Sequence, residues 1–239
     1  MQNLETFNTK VNELNDEIKS HYQIYSTDNK KPIYDGLRDI EKYYNSKLRI
    51  LWILKEAYDI ENEGVGDWSI VGEQPEAFLK KAGGARSTWH PIIYTSYCML
   101  NNFELYDNVS FIDDDPSMVN VLNEIAFINV QKFAGNTTSK HGEIRDAYNL
   151  HKGILLKQIE TYDPHVVICG GTLYHFASDL GLDQSCHHYD EFDYYITNRL
   201  YIAAHHPAAP KSHDAKEEYI DDIVRIAKKY FANNGHLRL

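Results

Sequence analysis

Leu4, Phe7, Val11, Leu14, Ile18 and Tyr22 recur at spacings of three and four through an otherwise polar segment. That spacing draws one apolar stripe along a helix. A second helix is expected from Pro32 to about Tyr44, with Ile33, Leu37, Ile40 and Tyr44 inward and Pro32 in its first turn. Residues 1–46 therefore read as an N-terminal helical cover. The pattern then changes. Leu48 to Leu54 is an unbroken apolar run, as in a strand buried on both faces. Three similar runs come later, at 125–130 (IAFINV), 165–170 (HVVICG) and 200–205 (LYIAAH).

Amphipathic helices are expected between and after these strands. One carries Ala147, Leu150, Ile154, Leu155 and Ile159 on its apolar face and is closed by Asp163-Pro164. The last carries Tyr219, Ile223, Ile226, Ala227 and Tyr230. Buried strands alternating with such helices imply a single α/β domain over 1–239. Its core, 47–239, is expected as a three-layer α/β/α sandwich around a short four-stranded parallel sheet. The stretch CHHYDEFDYYITNR, before the last run, reads as a hairpin or a loop.

Composition narrows the function. With 239 residues, 43% of them hydrophobic, the chain can bury a full core, and no apolar run is long enough to span a bilayer. The polar N-terminus is not a signal peptide. Cys98, Cys169 and Cys186 form no CxxC pair, which argues against a disulfide scaffold or a cysteine-held metal and suits a reducing cytoplasm. A net charge of -11 disfavours tight non-specific DNA binding but leaves room for a local basic patch. The 18 tyrosines suit wet interfaces and half-buried positions. The His- and Asp-rich stretch before residue 206 matches no zinc spacing, so neither metal nor cofactor is expected. There is no GxSxG, P-loop or dinucleotide fingerprint. Near His90-Pro91, Ser87 or Thr88 is expected to cap a helix with Pro91 in its first turn and His90 exposed.

In open parallel sheets, ligands bind beyond the carboxyl ends of the strands. The first run leads into Lys55-Glu56-Ala57-Tyr58-Asp59, and the second into Asn129 to Phe133 with Gly135. The third leads into Gly170-Gly171-Thr172 and the fourth into His205-His206-Pro207. A carboxylate, an amide, a Gly-rich turn and a histidine thus converge on one rim.

These segments, in this order, resemble the uracil-DNA glycosylase superfamily. ILWILKEAYD resembles its first motif, a strand followed by a loop with a water-activating residue. AFINVQKFAGN resembles the strand whose Asn reads the flipped base. LLKQIETYDPHVVICGGTLYHF is similar to its helix, turn, third strand and Gly-rich turn, and IAAHHPAA to its final His-Pro motif. The resemblance covers about Lys47 to Tyr230. It departs where the family's first motif usually begins with Gly and ends in Pro-Gly: Lys55 and Tyr58-Asp59 stand there. The four cysteines of the iron–sulfur branches are also missing.

The resemblance implies a DNA-repair hydrolase that cleaves the N-glycosidic bond of a flipped uracil-type base. It makes Glu56 the water-orienting carboxylate, with Asp59 as the alternative. Asn129 would read the base and His206 would support the leaving base, with His205 as neighbour or substitute. Tyr58 or Trp68 would stack on the base, with Gly64 and Gly66 lending flexibility to the loop. Ala208 to Lys211 would form the wedge, with Lys211 on a phosphate. Lys55 would meet a phosphate or a carboxylate of the site. The partner would be single-stranded or damaged DNA. Each residue also has a structural reading: loop carboxylates or helix caps for Glu56 and Asp59, backbone satisfaction for Asn129, turn closure for His206, and core cover for Trp68. The competing function is a non-catalytic protein of the same fold that binds a nucleotide, a nucleic acid or a protein.

Overall fold

A computed structural model of the chain describes residues 3–59, 63–79, 85–135, 141–182 and 186–234; the side chain of Tyr58 lies outside that description. The first helix, α1 (Leu4–Gln23), forms as the stripe requires. Asn3 caps it by accepting from the Thr6 N–H at 2.8 Å, and Phe7, Val11, Leu14, Ile18 and Tyr22 are buried.

The second expected helix is not there. Residues 32–37 run extended and end in the short strand β1 (Gly36–Leu37); only α2 (Ile40–Asn45), capped by Asp39, is helical. The reason lies at Gly36. Gly36 has φ +123, a conformation L side chains rarely adopt, and an added Cβ would lie 2.5 Å from the Tyr162 hydroxyl. Ile33 and Leu37 do turn inward, but from an extended chain.

The strands β2 (Ile50–Tyr58), β3 (Ala126–Gly135), β4 (Val166–Gly170) and β7 (Leu200–Ala204) match the four apolar runs and are mutually parallel in the order β3-β2-β4-β7. The sheet nevertheless has seven strands, not four. β1 adds to one side, antiparallel to β3, so the N-terminal segment belongs to the sheet as well as covering it. On the other side β6 (Phe192–Ile196) pairs antiparallel with β7, and β5 (Cys186–Tyr189) pairs with β6. Within CHHYDEFDYYITNR, then, the chain forms a hairpin. Both β2 and β3 also outrun their apolar runs, so Lys55 and Glu56 belong to a strand rather than a loop.

Alternation along the parallel strands splits the core in two. Leu51, Ile53, Ile128, Val167 and Cys169 face α1, α4 (His141–Tyr162) and the short α5 (Leu173–Phe176). Trp52, Leu54, Phe127, Ile168 and Ile202 face α3 (Ala85–Leu100) and α6 (His213–Asn234), which pack on one another. Within α4, Leu150 is 55% exposed and His151 is buried in its stead. His90 is buried inside α3 rather than exposed at a capped end, and Pro91 lies inside the helix. No helix among the described residues is long and apolar enough to cross a membrane.

Candidate functional site at the strand rim

The first parallel strand, β2, has β3 on one side and β4 on the other, so the crevice of a doubly wound sheet falls between the ends of β2 and β4. Gly170-Gly171-Thr172 closes the β4 end. Gly171, at φ +73, donates its N–H to the carbonyl of Ala204 on β7, and the Thr172 hydroxyl donates to the carbonyl of Ile53 on β2. The turn thus knits three strand ends together, and its Gly171 N–H is already used.

Both glycines make room for the rim. A Cβ on Gly170 would stand 3.0 Å from Cδ of Pro207 and 2.9 Å from Leu54 Cδ2. A Cβ on Gly171 would meet Lys55 Cε at 3.4 Å, Lys55 Nζ at 3.7 Å and the His206 nitrogen at 3.8 Å. The Gly-Gly pair and the His-Pro pair, 35 residues apart in the chain, are therefore complementary surfaces. Lys55, Gly171 and His206 form one cluster.

His206 is half-buried in a tight turn. Its carbonyl accepts from the Ala209 N–H at 2.7 Å, and its Nδ1 accepts from the Ala208 N–H at 3.2 Å, which leaves the proton on Nε2. Burial, with Lys55 and Lys211 adding positive charge nearby, pushes its pKa down to about 4. The imidazole is neutral at pH 7 and can donate from Nε2. Lys211 folds back so that its ammonium donates to the Ala208 carbonyl at 2.7 Å. His205 is exposed; its Nε2 lies 3.6 Å from a Glu191 oxygen and its carbonyl accepts from the Tyr219 hydroxyl.

The other expected residues divide. Glu56 lies over Gly135, where a Cβ would come within 2.0 Å of its Cδ, so its side chain leans toward β3 while Lys55 leans toward Gly171 and His206. Asp59 is buried and accepts from the Gly66 N–H at 2.8 Å, which makes it the closure of the following loop. The described part of that loop, 63–70, is pinned rather than free. Lys31 N–H donates to Val65 O, Tyr34 N–H to Trp68 O, and Ile70 N–H to Tyr34 O. Trp68 packs half-buried against the core, and its buried Nε1 has no hydrogen-bond partner among the described residues. Asn129 is buried level with Leu54, and its backbone N–H donates to Asp35 at 2.7 Å.

Sequence reasoning missed the group beneath Asn129. Lys132 is almost wholly buried and donates to both oxygens of Asp35, at 2.6 and 2.8 Å; Gln158 approaches the same carboxylate at 3.4 Å. A lysine within the buried strand FINVQKF was the available signal, since such a charge needs a counter-ion. Two hollows are lined by residues outside the Lys55–His206 cluster. One of 520 Å³ is lined by Asp39, Lys42, Lys47 and Glu124, and another of 290 Å³ by Arg86, Tyr106, His213 and Lys216. The rim carries the functional argument because it gathers the ends of three strands, two cations and a neutral donor imidazole. No protein-family model matches the chain, and no curated protein matches it.

Proposed function

We propose that the chain is a divergent uracil-DNA glycosylase-like protein that hydrolyses the N-glycosidic bond of a flipped uracil-type base at the β2/β4 crevice. The carrying observation is the cluster of Lys55, Gly171 and a neutral His206 whose Nε2–H is left to donate. When the bond breaks, its electron pair goes to the base and positive charge develops on the sugar. A neutral imidazole donor and nearby ammonium groups favour that departing anion most when it is formed. Water adds to the sugar carbon and gives up a proton to the Glu56 carboxylate, which must swing back from Gly135 toward the crevice to take it. Lys211 meets a flanking phosphate from the turn after His206. The buried Asn129 serves as reader of the base edge, with its backbone held by Asp35.

A second reading has its own support: the same cluster is cationic and Glu56 leans away from it, as suits a protein that holds a phosphate or nucleotide without cleaving it. One assay separates them. Wild type, Glu56→Gln, His206→Ala and Lys55→Ala are incubated with single-stranded and mismatched uracil DNA, and both abasic product and binding are measured. The hydrolytic reading expects product from wild type and a loss of about 10²–10³-fold with His206→Ala. No product from wild type overturns it; binding that Lys55→Ala abolishes would then support the second reading.

A further inference from the structure

We propose that the β5–β6 hairpin holds a zinc-type divalent cation on Cys186, His188 and Asp193. The antiparallel register pairs His188 with Asp193 and Cys186 with Tyr195. Directly paired residues share a face, and so do residues two apart on one strand, so Cys186, His188 and Asp193 emerge on one side of the hairpin. One donor atom from each lies within 4.8 Å of the other two. His188 Nδ1 is already 2.5 Å from an Asp193 oxygen.

A thiolate, an imidazole and a carboxylate form the donor set of zinc and its neighbours; calcium and magnesium take oxygen ligands instead. At zinc bond lengths of about 2.0–2.3 Å, tetrahedral donors stand roughly 3.3–3.6 Å apart, so seating an ion requires the His188–Asp193 contact to part by about 1 Å and Cys186 to draw in, movements that side-chain rotations supply. Three protein ligands leave the fourth position to water or an exchangeable group. The linear spacing announces nothing because the ligands are brought together by strand pairing. Among the described residues β5 is an edge strand of the sheet, bonded to β6 alone, and a shared ion would tie the two together. Asp193 lies opposite Ala203 of β7, so the site stands beside the rim strand, and none of its three ligands belongs to the Lys55–His206 cluster.

The test is titration of the reduced full chain with Co²⁺ and Zn²⁺. One equivalent of Co²⁺ should give tetrahedral d–d bands together with a near-ultraviolet thiolate charge-transfer band. Cys98 and Cys169 are buried, so that band reports Cys186. Cys186→Ser should abolish it, and Asp193→Asn should keep it while weakening binding. Losing a supporting group costs metal sites about 10–100-fold, and loss of a ligand should weaken Zn²⁺ at least as much. Circular dichroism of both variants checks the fold. Absence of stoichiometric uptake, a Co²⁺ spectrum without the thiolate band, or unchanged Zn²⁺ affinity in Cys186→Ser would each overturn the proposal.

Discussion

At the scale of single residues, the Asp35–Lys132 pair matters most. Burial pulls the Lys132 pKa down against the opposing pull of Asp35. Removing one member of such a pair leaves an uncompensated buried charge, so Lys132→Met should destabilise by about 3–5 kcal/mol in urea unfolding. Asp35→Leu with Lys132→Met should recover only part of that, because Asp35 also accepts the Asn129 N–H, which the double variant orphans. Full recovery would mean that this backbone bond counts for little. Lys132 could be seen in the sequence as a charge in a buried strand. Its partner could not, because Asp35 lies 97 residues away and is brought to it by the pairing of residues 32–37 with β3.

At the scale of elements, the long amphipathic helices and buried strands were legible, and the connecting segments were not. A 3.6-residue period repeated over twenty residues of α1 admits one reading. Ile33, Leu37 and Ile40 over a single turn or two admit several, and the positive φ of Gly36 selected the extended one. The loop after β2 shows the same limit. Gly64 and Gly66 suggest freedom in the sequence, yet both serve a fixed turn. Gly66 has φ +80, and a Cβ there would lie 2.1 Å from the Lys31 carbonyl oxygen. Gly66→Ala should therefore cost about 1–3 kcal/mol and open the loop to limited proteolysis, without touching the Lys55–His206 cluster. Unchanged stability and cleavage would show that the turn is not pinned as described.

At the scale of the whole molecule, acid should loosen the fold well before the carboxylates are exhausted. His90, His151, His165 and His206 all have pKa values pushed down to about 4 from the ordinary 6.5, chiefly by burial. They are neutral in the fold, whereas the unfolded chain takes up protons near pH 6.5. Their contribution is thus fully present above about pH 6.5 and is lost as pH falls from there through 4. The urea midpoint should be flat between pH 7 and 8 and fall steadily from 6.5 to 5. A midpoint independent of pH across that lower range would contradict the burial of these four rings.

The sequence by itself determined the α/β class, the four parallel strands, the long helices α1, α4 and α6, and the placing of Gly171 and His206 just past strand ends. These come from periodicity and from where apolar runs stop, which are local properties of the chain. Tertiary structure decided the rest: the order of strands, the three antiparallel additions, the Asp35–Lys132 pair, and the leaning of Glu56 toward Gly135. It also decided the meeting of Cys186, His188 and Asp193. Each depends on which strand pairs with which and in what register, and that choice is made by long-range burial and hydrogen bonding.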